Sequence, residues 1–244
     1  MAISATIHIT ASSQLVACFH LLLLKGVTLT ATAGTSLRTF IIDSLGIDAG
    51  YLATQVQTIL YDGRAVDDLD AAVIHDGAVL ALSAAMPGLV GAVLRSKGIL
   101  RGLRREISLN AQAPAVGGKL VSVTVKLFNT VLHDLAPLLF GRGVTVYGKD
   151  LLERLCHCRD ELLESGARLS IDGRQADFAA GEGAPWAQAP VCFKLTEIPP
   201  MYAHINIKMY ATLKCFEPPN ADRYPIVPGT TVADLQKALG IGTG

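Results

Sequence analysis

Cys156-His157-Cys158 is the densest cluster of metal-capable side chains in the chain. Thiolate and imidazole are the ligands that hold zinc or an iron–sulfur cluster. The spacing argues against a shared ion, because residues two apart on a helix point about 200° from each other. Leu151, Leu155, Cys158 and Leu162 instead trace one apolar helical stripe, which Leu152, Cys156 and Leu163 widen. Small cysteines pack well in such a stripe, so core packing is the expectation for this tract. Cys192 and Cys215 have no CxxC or CxxH companion, and Cys18 stands far from both. Five scattered cysteines are a poor disulfide framework and suit a reducing, cytoplasmic setting. The six histidines are dispersed, and no HExxH, GxSxG, P-loop or dinucleotide fingerprint occurs. A noncatalytic chain without cofactor or metal is therefore the expectation.

Two tracts pair an acid with a guanidinium: Asp62-Gly63-Arg64 and Asp172-Gly173-Arg174. Asp-Gly between apolar runs is first a tight-turn signal, and the turn is the expected role. Asp67, Asp68 and Asp70 read as a solvated turn. Arg95, Lys97, Arg101, Arg104 and Arg105 form a dense run of positive charge. They suit an acidic protein surface or phosphates, and a plain solvated helix is the alternative. No aromatic interleaves them, so stacking on single-stranded nucleic acid is not expected.

These tracts are positioned by repeated elements. The octapeptide Leu60–Asp67 recurs further along the chain as Ser170–Asp177. Leu80–Pro87 is echoed by Phe193–Pro200, Val125–Thr130 by Ile207–Thr212, and Gly34–Ile47 by Gly229–Ile241. Recurrence in one order predicts three copies of a single unit. Each copy reads as strand, strand, helix, then strands. In copy one the strands are Ala5–Thr10, Val27–Thr30, Thr58–Leu60 and Val79–Ser83, and Ser36 caps a helix that Gly46 ends. Leu15–Leu24 is about as long as a signal-peptide core but lacks a preceding positive charge, so a buried segment is expected. In copy two, strands at Val121–Phe128, Ala167–Ile171 and Val191–Leu195 flank a helix with a capping box at Asp150 and Glu153. Copy three has strands at Ile205–Tyr210 and Tyr224–Val227, then a helix capped by Thr231 and Asp234. The expected organisation is copy one at 1–92, a basic helix and linker at 93–118, copy two at 119–203, and a half copy at 204–244.

The chain has 244 residues, and its 21 basic residues balance 21 acidic ones. Half of it is apolar and 17% is charged, which excludes disorder and a strongly basic nucleic-acid binder. No apolar run reaches the ~18–20 residues of a membrane span.

The element order resembles the ubiquitin-like β-grasp fold, an α+β architecture, here in tandem with the third copy incomplete. Ile207–Leu213, Pro228–Leu235 and Leu239-Gly240-Ile241 resemble the first half of the MoaD/ThiS sulfur-carrier family. Copy one also resembles a ferredoxin-type β-grasp domain without its cluster cysteines. In the sulfur-carrier family a terminal Gly-Gly becomes a thiocarboxylate. This chain ends Ile241-Gly242-Thr243-Gly244, and its one such pair, Gly117-Gly118, is internal. Carrier activity would need that pair as a tail after cleavage. The resemblance therefore implies a noncatalytic scaffold or interaction subunit of a larger complex. A molybdenum- or tungsten-pterin oxidoreductase of the aldehyde:ferredoxin type is the implied setting, and a sulfur carrier for molybdopterin or thiamine synthesis is the alternative. Electron transfer through a ferredoxin-like site is a third, weaker expectation. Partner contact is expected through Arg95, Lys97, Arg101, Arg104 and Arg105. It is also expected through strand edges and the apolar helix face of Val232, Leu235 and Leu239, by protein binding or self-association.

Overall fold

Alternation with period two buries one face of a strand, and the chain's clearest alternating runs form the long strands of a sheet. The computed structural model describes residues 3–95, 98–99, 118–178, 184–198, 203–227 and 229–241. The first part holds β1 (Thr6–Ser12), α1 (His20–Lys25), β2 (Val27–Thr32), α2 (Leu37–Thr39), α3 (Ala49–Thr54), β3 (Thr58–Tyr61), β4 (Arg64–Ala65), β5 (Ala78–Ser83) and α4 (Gly88–Leu94). Then come β6 (Leu120–Phe128), α5 (Asn129–Arg142), β7 (Val144–Tyr147), α6 (Gly148–His157), α7 (Arg159–Glu164), β8 (Arg168–Ile171), β9 (Arg174–Ala176) and β10 (Pro190–Ile198). The last are β11 (Ala203–Ile205), β12 (Tyr224–Ile226) and α8 (Val232–Ala238). The chain is mixed α/β and divides into two units, Met1–Glu197 and Ile198–Gly244.

In the first unit ten strands form one mixed sheet, in the order β4-β3-β5-β6-β2-β7-β10-β1-β8-β9. The strands of copies one and two therefore interleave rather than forming one sheet per copy. At the centre β2 and β7 meet antiparallel at Thr28 and Thr145. Outward from β2, β6 is antiparallel and β5 runs parallel to β6. Outward from β7, β10 is antiparallel. Next comes β1: Ser4 N–H donates to the Pro190 carbonyl and Cys192 N–H to the Ala5 carbonyl, so β1 and β10 run the same way. Each half is thus a parallel pair between antiparallel strands. The exchange is reciprocal: β6 of copy two fills the first half, and β1 of copy one fills the second.

A helical segment lies between the first two strands of each copy, where the sequence reading had strand follow strand directly. In copy one it is Ser13–Phe19 followed by α1, and it buries Leu15, Val16, Phe19, Leu22 and Leu23. In copy two it is α5, which buries Val131, Leu132, Leu135, Ala136, Leu139 and Phe140. Both helices end on a glycine with positive φ, Gly26 at 116° and Gly143 at 93°. The tracts Lys25-Gly26-Val27-Thr28 and Arg142-Gly143-Val144-Thr145 form a further repeat between the two copies. Glycine is required at Gly26, because a Cβ there would sit 2.7 Å from Thr124 Cγ2.

One core serves both copies. Phe19, Phe140 and Phe193 are fully buried, with ring centroids 5.0–6.5 Å apart in edge-on and tilted contacts. They come from the turn after β1, from α5 and from β10.

Two expected caps separate. Ser36 Oγ accepts from Thr39 N–H, as the sequence implies, and the helix continues as a π-turn through Phe40–Ser44. Asp150 and Glu153 form no capping box, because α6 already begins at Gly148, with Tyr147 as its cap residue. Gly148 lies against the Trp186 carbonyl, where a Cβ would collide, and this fixes the entry point. Asp150 instead accepts from Lys25 Nζ at 2.6 Å, and Glu153 lies 3.6 Å from the same ammonium.

The second unit is thinly packed. β11 and β12 form a two-stranded antiparallel sheet, pairing Ala203 with Ile226 and Ile205 with Tyr224. The strand expected over Ile205–Tyr210 stops at Ile205. Its partner β12 is short and contains Pro225, which cannot donate to a ladder. Thr231 and Asp234 form the expected capping box of α8, and Gly240 takes φ +73° beyond its end.

Candidate functional site

The repeated Asp-Gly turns show what their residues do. Asp62 and Asp172 both take φ 50°, with Gly63 at 77° and Gly173 at 78°. Two consecutive positive φ values define a type I′ hairpin turn, the role expected of these tracts. Each aspartate also clamps a neighbouring strand. Asp62 N–H donates to the Val79 carbonyl at 2.9 Å, and its Oδ1 accepts from Val79 N–H at 2.8 Å. Asp172 does the same to Thr6, at 2.8 and 2.7 Å. The clamped strand is β5 in one half and β1 in the other.

The Asp62 turn has a brace. His75 Nε2 lies 2.7 Å from Asp62 Oδ2, and its Nδ1 lies 3.0 Å from the Asp76 carbonyl. Burial alone would lower the His75 pKa, but the Asp76 carbonyl and the Asp62 carboxylate outweigh it and raise it. The Tyr61 hydroxyl donates to the Val73 carbonyl, and burial is the main cause that pushes its pKa up to about 12.

The cysteines gather differently from the sequence expectation. Leu151, Leu155, Cys158 and Leu162 are buried along one stripe, as their spacing implies. Cys156 is exposed, so it does not widen the stripe, and Leu163 is half exposed. The helix breaks between α6 and α7 at Cys158, whose thiol meets that of Cys18 in the Ser13–Phe19 turn. Glu161, one turn after Cys158, joins them. Cys18 Sγ donates to Glu161 Oε2 at 3.4 Å, and the ligand atoms of Cys18, Cys158 and Glu161 all lie within 4.8 Å of one another. Burial pushes the Cys18 thiol up to about 12, helped by the Cys158 thiol and the Glu161 carboxylate. Cys158 is buried, Cys18 half-buried and Glu161 exposed, so the cluster opens to solvent on one side. Cys158 and Glu161 at i and i+3 were the only local signal; Cys18 belongs to the other copy, far away in sequence. Elsewhere on α1 and α5, His20 and His133 stack edge-on at 4.8 Å, and burial first, then the His133 charge, lowers the His20 pKa.

Of the expected partner-binding charges, Arg95 follows α4 and its N–H donates to the Gly91 carbonyl at 3.1 Å. Lys97, Arg101, Arg104, Arg105 and the Gly117 of the glycine pair lie outside the described residues. Gly118 has φ +98° and open space where a Cβ would stand. In the second unit Val232 is 74% exposed, Leu235 and Leu239 are half-buried, and α8 has no buried residue. Tyr210, Leu213, Phe216 and Val227 are exposed as well, while Ile207 and Ala221 are the buried apolar residues described in this unit. Among the described residues no helix is long and apolar enough to cross a membrane.

No known protein family, curated protein or solved structure matches the chain.

Proposed function

We propose that this chain is a noncatalytic interaction subunit, built on β-grasp units and held in a larger assembly through Ile198–Gly244. The observation that carries the reading is the exposed apolar residues of that unit. Tyr210, Leu213, Phe216, Val227 and Val232 are exposed in a unit whose sheet has two strands and whose helix α8 has no buried residue. A two-stranded sheet with one amphipathic helix is marginal in water, and grouped exposed apolar residues mark contact surfaces. A protein partner that adds a strand beside β11–β12 and lays apolar side chains on α8 would complete it. The β-grasp reading draws support from the strand plan of each sheet half, a parallel central pair flanked by antiparallel strands. The helices between the first two strands of each copy are additions to that plan. By resemblance, the setting is a molybdenum- or tungsten-pterin oxidoreductase complex.

Sedimentation of the untagged native protein at micromolar concentration tests this. The expected result is a mass well above that of one chain. Tyr210→Ser with Val232→Asp is expected to return it to the single-chain mass with the far-UV circular dichroism unchanged. A native protein that sediments as a single chain and melts in one cooperative step overturns the reading.

A further inference from the structure

We propose that Cys18, Cys158 and Glu161 form a binding site for one soft divalent cation of the zinc class, held by two thiolates and a carboxylate. Three observations carry it. First, the donor types suit such an ion: thiolates select zinc over magnesium or calcium, carboxylate oxygen also ligates zinc, and three protein ligands with an open fourth position is the pattern of catalytic zinc sites. Second, the spacing fits. Around tetrahedral zinc, with Zn–S near ~2.3 Å and Zn–O near ~2.0–2.2 Å, sulfurs stand about 3.8 Å apart and sulfur and oxygen about 3.5 Å. The Cys18–Glu161 separation of 3.4 Å already matches, and no pair exceeds 4.8 Å. Binding therefore asks any one pair of ligand atoms to close by no more than about 1.3 Å. Third, the site is positioned by the fold rather than by a flexible loop. Cys158 is buried at the break between α6 and α7, and Cys18 packs against the core on the turn that follows β1. The exposed Glu161 opens the site to solvent, the source of a fourth, water ligand.

On binding, two sulfur–metal bonds and one oxygen–metal bond form. Each thiol passes its proton to solvent, and Glu161 gives up the hydrogen bond from Cys18. The ion ties copy one to copy two at a point where helical turns, not strands, meet. A bound cation holds both sulfurs as thiolates, because a coordinating thiol is deprotonated.

Cobalt(II) titrated anaerobically into the reduced full-length chain tests the proposal. The expected result is a sulfur-to-cobalt charge-transfer band with intense tetrahedral visible bands, saturating near one cobalt per chain and displaced by zinc. Even the loss of groups behind the ligands costs about 10–100-fold in affinity, so Cys18→Ser or Cys158→Ala is expected to weaken binding more than about a hundredfold. Cys156→Ser, two residues away and exposed, is expected to bind as wild type does. No sulfur-to-cobalt band at millimolar cobalt from a chain that melts cooperatively overturns the proposal. So does a band that survives Cys18→Ser or disappears with Cys156→Ser. If Cys158→Ala fails to fold, alkylation of the wild-type chain decides. Zinc is expected to slow modification of Cys18 and Cys158 and leave Cys156 and Cys215 unaffected; equal rates with and without zinc refute the site.

Discussion

In the sheet half around β5, the Asp62 turn clamps a strand 17 residues further along, and a histidine braces it. In the half around β1, the turn of the same shape at Asp172 clamps a strand 166 residues away, at the start of the chain. The repeated Asp-Gly hairpin therefore encodes a slot in the sheet rather than the strand that fills it. In the first half the slot takes the last strand of its own copy. In the second it takes the first strand of the other copy, and β10 moves inward beside β7. The local pair forms with little loop-closure entropy, while the distant pair needs the two copies to be assembled together.

The largest effect expected from this comparison is on cooperativity. Phe193 touches Phe19 and Phe140, which lie on different copies, so Phe193→Ala should cost ~3–5 kcal/mol and shift one shared transition. Urea unfolding followed by hydrogen exchange reads this: protection should fall together in β3–β5 and β8–β10. If β3–β5 kept its protection while β8–β10 lost it, the halves would be independent bodies.

Smaller effects should separate the clamps. Asp172→Ala leaves the Thr6 amide without its partner and should cost ~1–2 kcal/mol. Its signature is early exchange in β1 and in the β8 residues paired with it, such as Ile171 opposite Ile7. Asp62→Ala should show its early exchange in β5 and leave β1 protected. If both variants deprotect the same strand, the idea of one slot with two occupants fails. Gly63→Ala and Gly173→Ala sharpen the point from the other side. Both glycines have nearly the same positive φ and nothing within 4 Å of an added Cβ. Each should therefore cost the same ~1–2 kcal/mol, measured by denaturant midpoint.

What was legible in the sequence divides along the same line. The Asp-Gly turns, the Ser36 cap and the Thr231–Asp234 box were readable because each is settled by a handful of neighbouring residues. Strand order was not, since nothing local distinguishes β1 beside β8 from β1 beside β2. The helix α5 was missed because Pro137 lies inside it and reads as a breaker, and because Pro137 and Leu138 dilute the polar face that His133 and Asp134 mark opposite its buried one. At Cys156–Cys158 the spacing implied core packing, which holds for Cys158 and not for the exposed Cys156. A helix places Cys158 over Glu161 and turns Cys156 away, and only the tertiary fold brings Cys18 to them.

The smallest effect concerns the brace that one clamp has and the other lacks. Among the described residues no histidine is hydrogen-bonded to Asp172, where the nearby His8 ring meets Thr196 instead, whereas His75 lies 2.7 Å from Asp62. The His75 pKa is raised in the folded chain: burial opposes this, but the Asp76 carbonyl and the Asp62 carboxylate prevail. Linkage then sets the sign. A histidine with a raised folded pKa binds more protons folded than unfolded, so its contribution is fully present below its ordinary value near ~6.5. That contribution is lost as pH rises through the higher folded value. The stability difference between wild type and His75→Gln should therefore be largest in mildly acidic solution and shrink toward alkaline pH. The side chains are partly exposed, so salt should reduce the difference further. The control is Asp172→Asn, whose effect should show no such step near the histidine range. A His75→Gln difference that stays flat across that range, or grows as pH rises, would mean that the pair does not brace the turn, and the two clamps would then differ only in the strand each one holds.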